Sequence, residues 1–354
     1  MELKEFMSAQ SIRTNILSHY PYQVYEIIPI KFKDTDKQRA VYRFETDDGP
    51  KCLKKVYFNE ANLLFVYSVI QWFYNFGINV PKLLSTKSGG RYVNFNNDLF
   101  IVTDWIEGRK CDYDTDDDIC KAAENLAKMH KCSYNFRPAY GSFVRKDDAD
   151  WNKTFRRRYL QLLKLSNEAF KCKDEFSKTF LGCFDYYHER ASHAVSVLNL
   201  VSSKILMSPA NDYNTICHLD YVNKNLIFTY TGELYVIDFD KSKIDIPIHD
   251  LGTFLKRILK RNSTCWDFDI LIKTLENYEK ERKLSMEELL GLFAFLEFPQ
   301  KYWKLSRDYF NNIKGCNRKL FISMLKKVSE QKEDHKEFCK KYQSFIQDRC
   351  NIKL

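Results

Sequence analysis

Hydrophobic and polar residues alternate along most of the first hundred positions, a pattern that predicts strands. The segments 22–32 and 40–58 are rich in aromatic and β-branched residues, and a DDG turn divides the second into two alternating halves. Residues 59–77 carry apolar side chains at helical spacing and end at a glycine, which predicts a helix. The segments 79–86 and 96–108 predict further strands. The chain therefore begins with a strand-rich region that one helix interrupts.

Helical spacing of the apolar residues dominates after Gly108. The predicted helices lie at 119–131, 150–172, 176–206, 248–262, 267–280, 285–297 and 317–347. Two predicted strands interrupt them, at 225–229 and 233–239, and a Thr-Gly turn joins these strands. The second part of the chain is therefore expected to be mainly helical.

This order of elements predicts an α+β fold of two lobes. A small lobe with an antiparallel sheet is expected in residues 1–105, and a larger, mainly helical lobe in residues 106–354. The hinge is predicted at about residues 104–109. Because ligands often bind where two such bodies meet, we expect the functional site near this junction.

The composition is that of a globular protein. Of the 354 residues, 44% are hydrophobic and 29% are charged, which excludes a disordered chain. The first ten residues, MELKEFMSAQ, lack the apolar core of a signal peptide, and the longest apolar run, at 289–298, is about half a membrane span. We therefore expect cytoplasmic synthesis without a signal peptide and no membrane partner. The eleven cysteines contain no CxxC pair, so no zinc site is expected.

Positive charge is concentrated at the end of the chain. The formal net charge is +9, and residues 313–354 hold eleven Lys or Arg against five Asp or Glu. A solvated helical face explains such a charge, and a nucleic-acid-binding surface is the alternative. Because no base-reading motif accompanies the charge, the sequence favours the solvated face over nucleic acid as a partner.

The segment ICHLDYVNKNLIFTYTGELYVIDFD, at residues 216–240, places polar residues at the ends of the two predicted strands. Asp220 lies in the preceding loop, Asn225 comes directly before the first strand, and Asp238 ends the second. Because a hairpin brings its open ends together, Asn225 and Asp238 are expected to lie close to each other. An ordinary hairpin with polar ends is the alternative, but the full H-x-D-x4-N spacing followed by a strand that ends in Asp is more specific.

These side chains suit phosphoryl transfer from ATP. Mg²⁺ prefers oxygen ligands, which Asn225 and Asp238 supply. A carboxylate such as Asp220 can accept the proton of an attacking hydroxyl. The expected cofactors are therefore ATP and Mg²⁺.

The same segment resembles the catalytic segment of the aminoglycoside phosphotransferase and choline kinase group. More closely, the chain is similar to the CotS-type spore coat proteins of endospore-forming bacteria. The matching motifs, in the order of the family, are ETDDGPKCLKKV (45–56), VPKLLSTKSGGRYV (80–93), FIVTDWIEGRKC (100–111), ICHLDYVNKN (216–225) and YVIDFDKSKIDIPIHDLGTFLKR (235–257). The resemblance implies a bilobal protein-kinase-like fold of the aminoglycoside phosphotransferase type.

The resemblance also implies a role for each polar residue of the hairpin segment. His218 is expected to be structural and to hold the loop, and Asp220 is expected to be the catalytic base. Asn225 and Asp238 are expected to bind the metal. Asp240 is expected to assist them as a third metal ligand, and a strand-end cap is the alternative.

Two acids outside the hairpin receive supporting roles. Asp250 is expected to brace the catalytic loop through backbone hydrogen bonds, and simple N-capping of a helix is the alternative. Glu60 is the candidate ion-pair partner that orients a nucleotide-binding lysine, and a charge that complements the helix dipole is the alternative.

The nucleotide itself is expected to contact the first lobe and the hinge. The resemblance implies that Lys54 binds the phosphates. Because strand alternation puts Lys54 and Lys55 on opposite faces, only one of them can face the nucleotide, and a solvated edge lysine is the alternative. The hinge residues expected to pass the adenine are Asp104, Trp105 and Ile106. The alternative for Trp105 is a place in the core, where an aromatic residue at such a position more often lies than against a ligand.

The chain departs from the pattern in two places. No glycine precedes Gly49, so the loop at about 33–39 lacks the glycine-rich cover of the phosphates. The basic residues that supply charge in this loop are Lys33, Lys37 and Arg39. Val222 stands where protein kinases often have Lys, which favours a small-molecule acceptor over a protein.

Three functions are therefore open. The first is an ATP/Mg-dependent phosphotransferase of the spore coat type that acts on a small-molecule hydroxyl, with nucleotide, an unidentified acceptor and other spore coat proteins as partners. The second is a catalytically weak or inactive kinase-fold structural protein of the coat. The third, a nucleic-acid binder, depends on charge alone.

Overall fold

A computed structural model gives the structure of the chain and describes residues 6–33, 38–146, 150–201 and 215–352. The chain divides into two compact units. The segments of the first unit are Met1–Cys111, Phe136–Arg145 and Asp220–Lys243, and those of the second are Asp112–Asn135, Lys146–Leu219 and Ile244–Leu354. The first unit thus contains the predicted first lobe and two later segments, and the predicted lobe boundary itself stays a prediction.

The elements follow one another in a strand-rich and then a helix-rich part. The strands are β1 (Val24–Lys33), β2 (Arg39–Thr46), β3 (Lys51–Lys55), β4 (Val93–Phe95), β5 (Asp98–Asp104), β6 (Arg109–Lys110), β7 (Ile216–Cys217), β8 (Leu226–Phe228), β9 (Leu234–Val236) and β10 (Lys243–Ile244). The helices are α1 (Ala9–Asn15), α2 (Glu60–Asn75), α3 (Asp116–Cys132), α4 (Trp151–Cys172), α5 (Glu175–Leu200), α6 (Pro247–Leu259), α7 (Phe268–Glu279), α8 (Met286–Glu297), α9 (Gln300–Asn311), α10 (Arg318–Glu330) and α11 (Lys332–Cys350). Short 3₁₀ helices lie at Leu17–His19, Asn223–Asn225 and Phe239–Lys241.

The first unit is built on a five-stranded antiparallel sheet with the strand order β1-β2-β3-β5-β4. Burial alternates along β2 and β3, because successive side chains of a strand point to opposite faces. One face forms a core that includes Phe44 and Leu53, and Ile12 and Ile16 of the α1 region pack into it. The alternating pattern of the sequence is therefore the pattern of this half-buried sheet.

A second, three-stranded sheet of the first unit has the order β6-β8-β9. It joins the segment after β5 to the hairpin of β8 and β9. Gly108 makes this approach possible because its φ is +154° and a Cβ there would lie 2.1 Å from the carbonyl oxygen of Phe228. Val236 also donates its N–H to the Asn79 carbonyl at 3.0 Å, which fixes the hairpin to the segment that follows α2.

The second unit is mainly helical, with aromatic stacking between its long helices. Phe176 of α5 stacks on Tyr309 of α9 with ring centroids 3.8 Å apart, and Phe180 stacks on Tyr302 at 4.9 Å. Such contacts bury large apolar areas with a defined geometry. Among the helices that the structure describes, none is long and apolar enough to cross a membrane.

Several sequence predictions of elements need correction. The segment 79–86 is not a strand, since it makes only an isolated bridge between Leu83 and Thr103. The predicted helix at 317–347 is two helices, α10 and α11, which separate at Gln331. The sequence also missed α1, α9 and β4. The end of the predicted helix 176–206 lies partly outside the described residues, where α5 ends at Leu200.

Candidate active site

The central strand β3 presents Lys54 on one face of the sheet and Lys55 on the other. Their partners differ accordingly: Lys55 pairs with Asp98 at 3.0 Å, while Lys54 points toward residues 238–240, the acidic segment after β9. Because β3 lies between β2 and β5, neither residue is a solvated edge lysine. The strand alternation used to distinguish the two lysines holds in the structure.

The hairpin of β8 and β9 brings the polar residues of its two open ends together. Leu226 is paired with Val236, and one residue further out Ile237 donates its N–H to the Asn225 carbonyl at 2.9 Å. Asp238 then adopts a left-handed conformation with φ of +68°, which Asp tolerates better than most residues. This turn starts the 3₁₀ helix Phe239–Lys241 and directs the carboxylates of Asp238 and Asp240 toward the same side chain.

That side chain is Lys54. Its Nζ lies 2.7 Å from Asp238 Oδ1 and 2.7 Å from Asp240 Oδ1, and all three residues belong to the first unit. Burial would lower the pKa of the Lys54 ammonium, but the charges of Asp240 and Asp238 outweigh it and raise the pKa above its usual value. The Lys54 ammonium therefore stays protonated and lies between the two carboxylates.

Asp240 is the most buried of these acids, with a side chain only 4% exposed. Within the described part of the chain its Oδ2 has no hydrogen-bond partner, although it is buried. The Arg39 guanidinium, which stacks over the Tyr57 ring, lies 3.9 Å from Oδ2. Because a buried carboxylate oxygen without a partner is unfavourable, Asp240 is suited to bind a cation.

The side-chain oxygens that the hairpin segment offers to a metal ion belong to Asn225, Asp238 and Asp240. Asn225 directs its amide nitrogen to Asp220, and no hydrogen bond to its Oδ1 occurs among the described residues. The carboxylates of Asp238 and Asp240 complete a set of hard ligands of the kind that Mg²⁺ prefers. The residues present therefore fit a magnesium ion.

Asp220 is held by an amide and two lysines. Asn225 Nδ2 donates to the Asp220 carbonyl at 2.9 Å and to its Oδ2 at 3.2 Å, and Lys241 Nζ donates to Oδ1 at 2.9 Å. Lys224 Nζ lies 3.5 Å from Oδ2. Burial would raise the pKa of the Asp220 carboxyl, but Lys241, Lys224 and Asn225 outweigh it and hold the pKa below its usual value. Asp220 is therefore ionised at neutral pH.

In the second unit, Asp250 holds the backbone that precedes Asp220 in the chain. It lies in the first turn of α6, and its carboxylate accepts the N–H of His218 at 2.5 Å and that of Leu219 at 2.6 Å. His130 contributes a third contact at 3.4 Å. Burial would raise the pKa of the Asp250 carboxyl, but these partners outweigh it and lower the pKa. Since Ile246 is the N-cap of α6, Asp250 braces the loop and does not cap the helix.

Glu60 does not have the predicted position. It is exposed in the first turn of α2, and the ion-pair partners of Lys54 among the described residues are Asp238 and Asp240. The side chain is therefore placed to complement the helix dipole, which was the alternative.

Arg145 connects α2 with the acidic segment, a contact that the sequence did not reveal. Its Nε donates to Asn62 Oδ1 at 2.7 Å, and its Nη1 donates to the Asp240 carbonyl at 2.6 Å. The guanidinium also lies 4.6 Å from the ring centroid of Phe58. No local motif marks Arg145, because its partners are about a hundred residues away in each direction of the chain.

The predicted hinge residues lie at the end of β5 and just after it. The Asp104 carboxylate pairs with Lys51 at 2.8 Å, and Trp105 donates its N–H to the Pro50 carbonyl at 3.1 Å. For Ile106, no donated backbone hydrogen bond occurs within the described ranges. Of the two hinge amides, that of Ile106 is thus the one available to a ligand.

The glycine-free loop lies partly outside the described residues. Residues 34–37, and Lys37 among them, are not part of the described ranges. At the far end of this loop, Arg39 begins β2 and contacts Asp240 as described above.

Comparison with known proteins assigns this arrangement to a family. A family model described as the phosphotransferase enzyme family (APH) matches residues 35–284, which is more than half of the chain. The chain belongs to this family. Spore coat protein S of Bacillus subtilis (strain 168) is 22% identical over 302 residues, which make up 85% of this chain and 85% of that protein. The predicted resemblance to both groups is confirmed.

Solved structures share the fold over nearly the whole chain. An aminoglycoside phosphotransferase from Alicyclobacillus acidocaldarius, 18% identical, covers 98% of each chain with a TM-score of 0.81. An amicoumacin kinase in complex with AMP-PNP, Ca²⁺ and Ami is 16% identical and has a TM-score of 0.60, covering 92% of this chain and 94% of its own. The predicted α+β fold of the aminoglycoside phosphotransferase type is thereby confirmed.

Proposed function

We propose that the protein is an ATP- and Mg²⁺-dependent phosphotransferase that phosphorylates a hydroxyl group of a small molecule. The observation that carries the proposal is the Lys54 ammonium, 2.7 Å from both Asp238 and Asp240. Beside it lies a buried Asp240 oxygen that has no hydrogen-bond partner among the described residues. Membership of the phosphotransferase family supports it. So do the nucleotide complexes of two structural relatives, the amicoumacin kinase and a spectinomycin phosphotransferase with ADP.

In this proposal the first unit binds the nucleotide and the metal. Asn225, Asp238 and Asp240 would hold Mg²⁺, and Lys54 would bind phosphate oxygens of the nucleotide. The hinge amide of Ile106 contacts the adenine, beside Asp104 and Trp105. Bound Mg·ATP supplies the phosphoryl group and a cation that neutralises its developing charge.

Asp220 is the catalytic base of the proposed reaction. It takes the proton of the acceptor hydroxyl while the hydroxyl oxygen bonds to the γ-phosphorus and ADP leaves with the electrons of the broken bond. The lowered pKa keeps the carboxylate ionised and therefore able to accept this proton at neutral pH. His218 and Asp250 act as structural support, since Asp250 fixes the backbone immediately before Asp220.

We further propose that the protein is assembled into the spore coat after synthesis in the cytoplasm, with other coat proteins as partners. The similarity to spore coat protein S favours this location. The same similarity supports a second candidate function, a structural coat protein with little or no catalysis. The absence of glycine before Gly49 favours this second candidate, because close approach of backbone N–H groups to phosphate is easiest at glycine.

Thermal unfolding with nucleotide and metal tests the proposed function. ATP with Mg²⁺ at a hundred times its Kd is expected to stabilise the wild type by about 2.7 kcal/mol, and Asp238→Asn is expected to lose this stabilisation. Asp269→Asn, on the exposed side of α7, is the control and is expected to keep it. Asp220→Asn is expected to bind Mg·ATP and to transfer phosphate at least about a hundredfold more slowly.

Two outcomes would contradict the proposal. Absence of any Mg-dependent shift at millimolar ATP would leave the structural coat protein as the better candidate. Equal transfer rates of Asp220→Asn and wild type would remove Asp220 as the base.

A further inference from the structure

Two lysines from different segments flank the Asp220 carboxylate. Lys241 ends the 3₁₀ helix Phe239–Lys241 and lies 2.9 Å from Oδ1, and Lys224 lies in the 3₁₀ helix Asn223–Asn225, 3.5 Å from Oδ2. The Asp220 side chain is 10% exposed, whereas those of Lys224 and Lys241 are 52% and 50% exposed. The two ammonium groups therefore reach solvent on either side of a nearly buried base.

These lysines are additional to the cations that balance the metal-binding acids. Asp238 and Asp240 are already opposed by Lys54, and Asp240 is also close to Arg39. At Asp220, one carboxylate faces two ammonium groups, so the ion pairs of the described residues leave an excess of one positive charge at the base. Each ammonium has three N–H donors; Lys241 donates one of them to Asp220, and Lys224 contacts Asp220 as an ion pair.

We propose that the acceptor carries an anionic group, a carboxylate or a phosphate, and that Lys224 and Lys241 bind it while the reacting hydroxyl meets Asp220. This inference rests on the proposed phosphotransferase function. A charge-assisted hydrogen bond from each ammonium would fix the acceptor at the base. An amino sugar or a quaternary amine would instead place a positive charge beside two positively charged lysines, and this repulsion is unfavourable.

Acceptors that differ only in charge test the proposal. Glucose 6-phosphate, glucose and glucosamine form one series, and glycerol 3-phosphate with glycerol forms a second. Formation of ADP above the rate of ATP hydrolysis measures transfer, and thermal shift of the complex with Mg·AMP-PNP measures binding. The anionic member of at least one series is expected to bind and react with a KM at least about tenfold lower than that of its neutral counterpart.

Variants identify the groups that recognise the charge. Lys241→Gln and Lys224→Gln are each expected to raise the KM for the anionic acceptor by about tenfold and the KM for the neutral acceptor by less than about twofold. Lys241→Glu is expected to reverse the preference toward glucosamine. Lys164→Gln, on the exposed face of α4, is the matched control and is expected to leave both KM values unchanged.

Three results would overturn the inference while leaving the proposed function intact. In the first, the protein binds Mg·ATP, but the phosphorylated acceptors raise its melting temperature no more than their neutral counterparts do. The second is preferential transfer to glucosamine by the wild type. The third is a variant Lys241→Gln whose kcat falls equally for every acceptor and for water while its KM values stay unchanged. Such a result would mean that Lys241 contacts the transferred phosphoryl group and not the acceptor. Failure of Mg·ATP to bind would instead refute the proposed function.

Discussion

Replacing Asp250 with alanine is expected to destabilise the second unit strongly. The substitution leaves the N–H groups of His218 and Leu219, which now donate at 2.5 and 2.6 Å to a buried carboxylate, without an acceptor. Hydrogen bonds to a charged group contribute about 1.5–3 kcal/mol each, and breaking a buried charged contact costs about 3–5 kcal/mol. The expected loss in the free energy of unfolding is therefore about 3–5 kcal/mol.

Urea denaturation at neutral pH measures this loss, with tryptophan fluorescence as the signal. Asp250→Asn is the conservative variant: its amide oxygen can accept one of the two N–H groups, so it is expected to be less destabilised than Asp250→Ala. Asp269→Ala, an exposed residue in the first turn of α7, is the control and is expected to change stability by less than about 0.5 kcal/mol.

The pH dependence gives a second test of the same contact. The folded-state pKa of Asp250 is lowered, so its stabilisation is complete above the unfolded-state pKa of about 4 and is lost as the pH falls through the folded-state pKa. The difference between wild type and Asp250→Ala should therefore be constant from pH 5 to pH 8 and shrink only in more acidic solution. A variant within about 1 kcal/mol of the wild type at neutral pH would refute the bracing role.

Three further predictions concern other parts of the molecule. Lys54→Met is expected to weaken Mg·ATP binding at least about tenfold by calorimetric titration, whereas Lys55→Met, on the opposite face of β3, should bind as the wild type does. Gly108→Ala is expected to lower the free energy of unfolding by more than about 2 kcal/mol, because the new Cβ would lie 2.1 Å from the Phe228 carbonyl oxygen, and a wild-type melting temperature would contradict this. Burial lowers the pKa of His335 to about 3, so its neutral form stabilises the fold fully above the unfolded-state pKa of 6.5 and this contribution is lost toward acidic pH. The wild type should thus lose about 2 kcal/mol more than His335→Gln between pH 7 and pH 5, and equal losses would count against the buried neutral imidazole.

Errors in the sequence prediction have identifiable physical causes. Apolar residues continue at helical spacing through 317–347, so periodicity could not show that Gln331 ends α10 and that α11 starts beside it. Glu60 was expected at Lys54 because it is the first acid of α2, but spacing along a chain does not define the direction in which a helix N-terminus faces. The segment 79–86 has strand-like composition, yet Pro81 removes a donor and the segment makes only a single bridge to β5.

In the candidate site, some residues could be predicted from the sequence and others could not. Asp220, Asn225 and Asp238 could be chosen from their spacing, because a tight hairpin converts nearness in sequence into nearness in space. Lys241, Lys224 and Arg145 could not be chosen, although they determine the charge around Asp220 and Asp240. A lysine or arginine is usual on any protein surface, so its type alone does not indicate a partner.

By itself the sequence determined the elements that local physics controls. Alternation and helical spacing gave the sheet-rich first part, the helical second part, the two faces of β3 and the hairpin that carries Asn225 and Asp238. Only the tertiary structure decided which charges meet: Lys54 with Asp238 and Asp240, Arg145 with the Asp240 carbonyl, and the two lysines with Asp220. The reason is that hydrogen bonding and hydrophobic burial along a strand or helix repeat with a fixed period, whereas an ion pair depends on distances between atoms that the chain brings together only after folding.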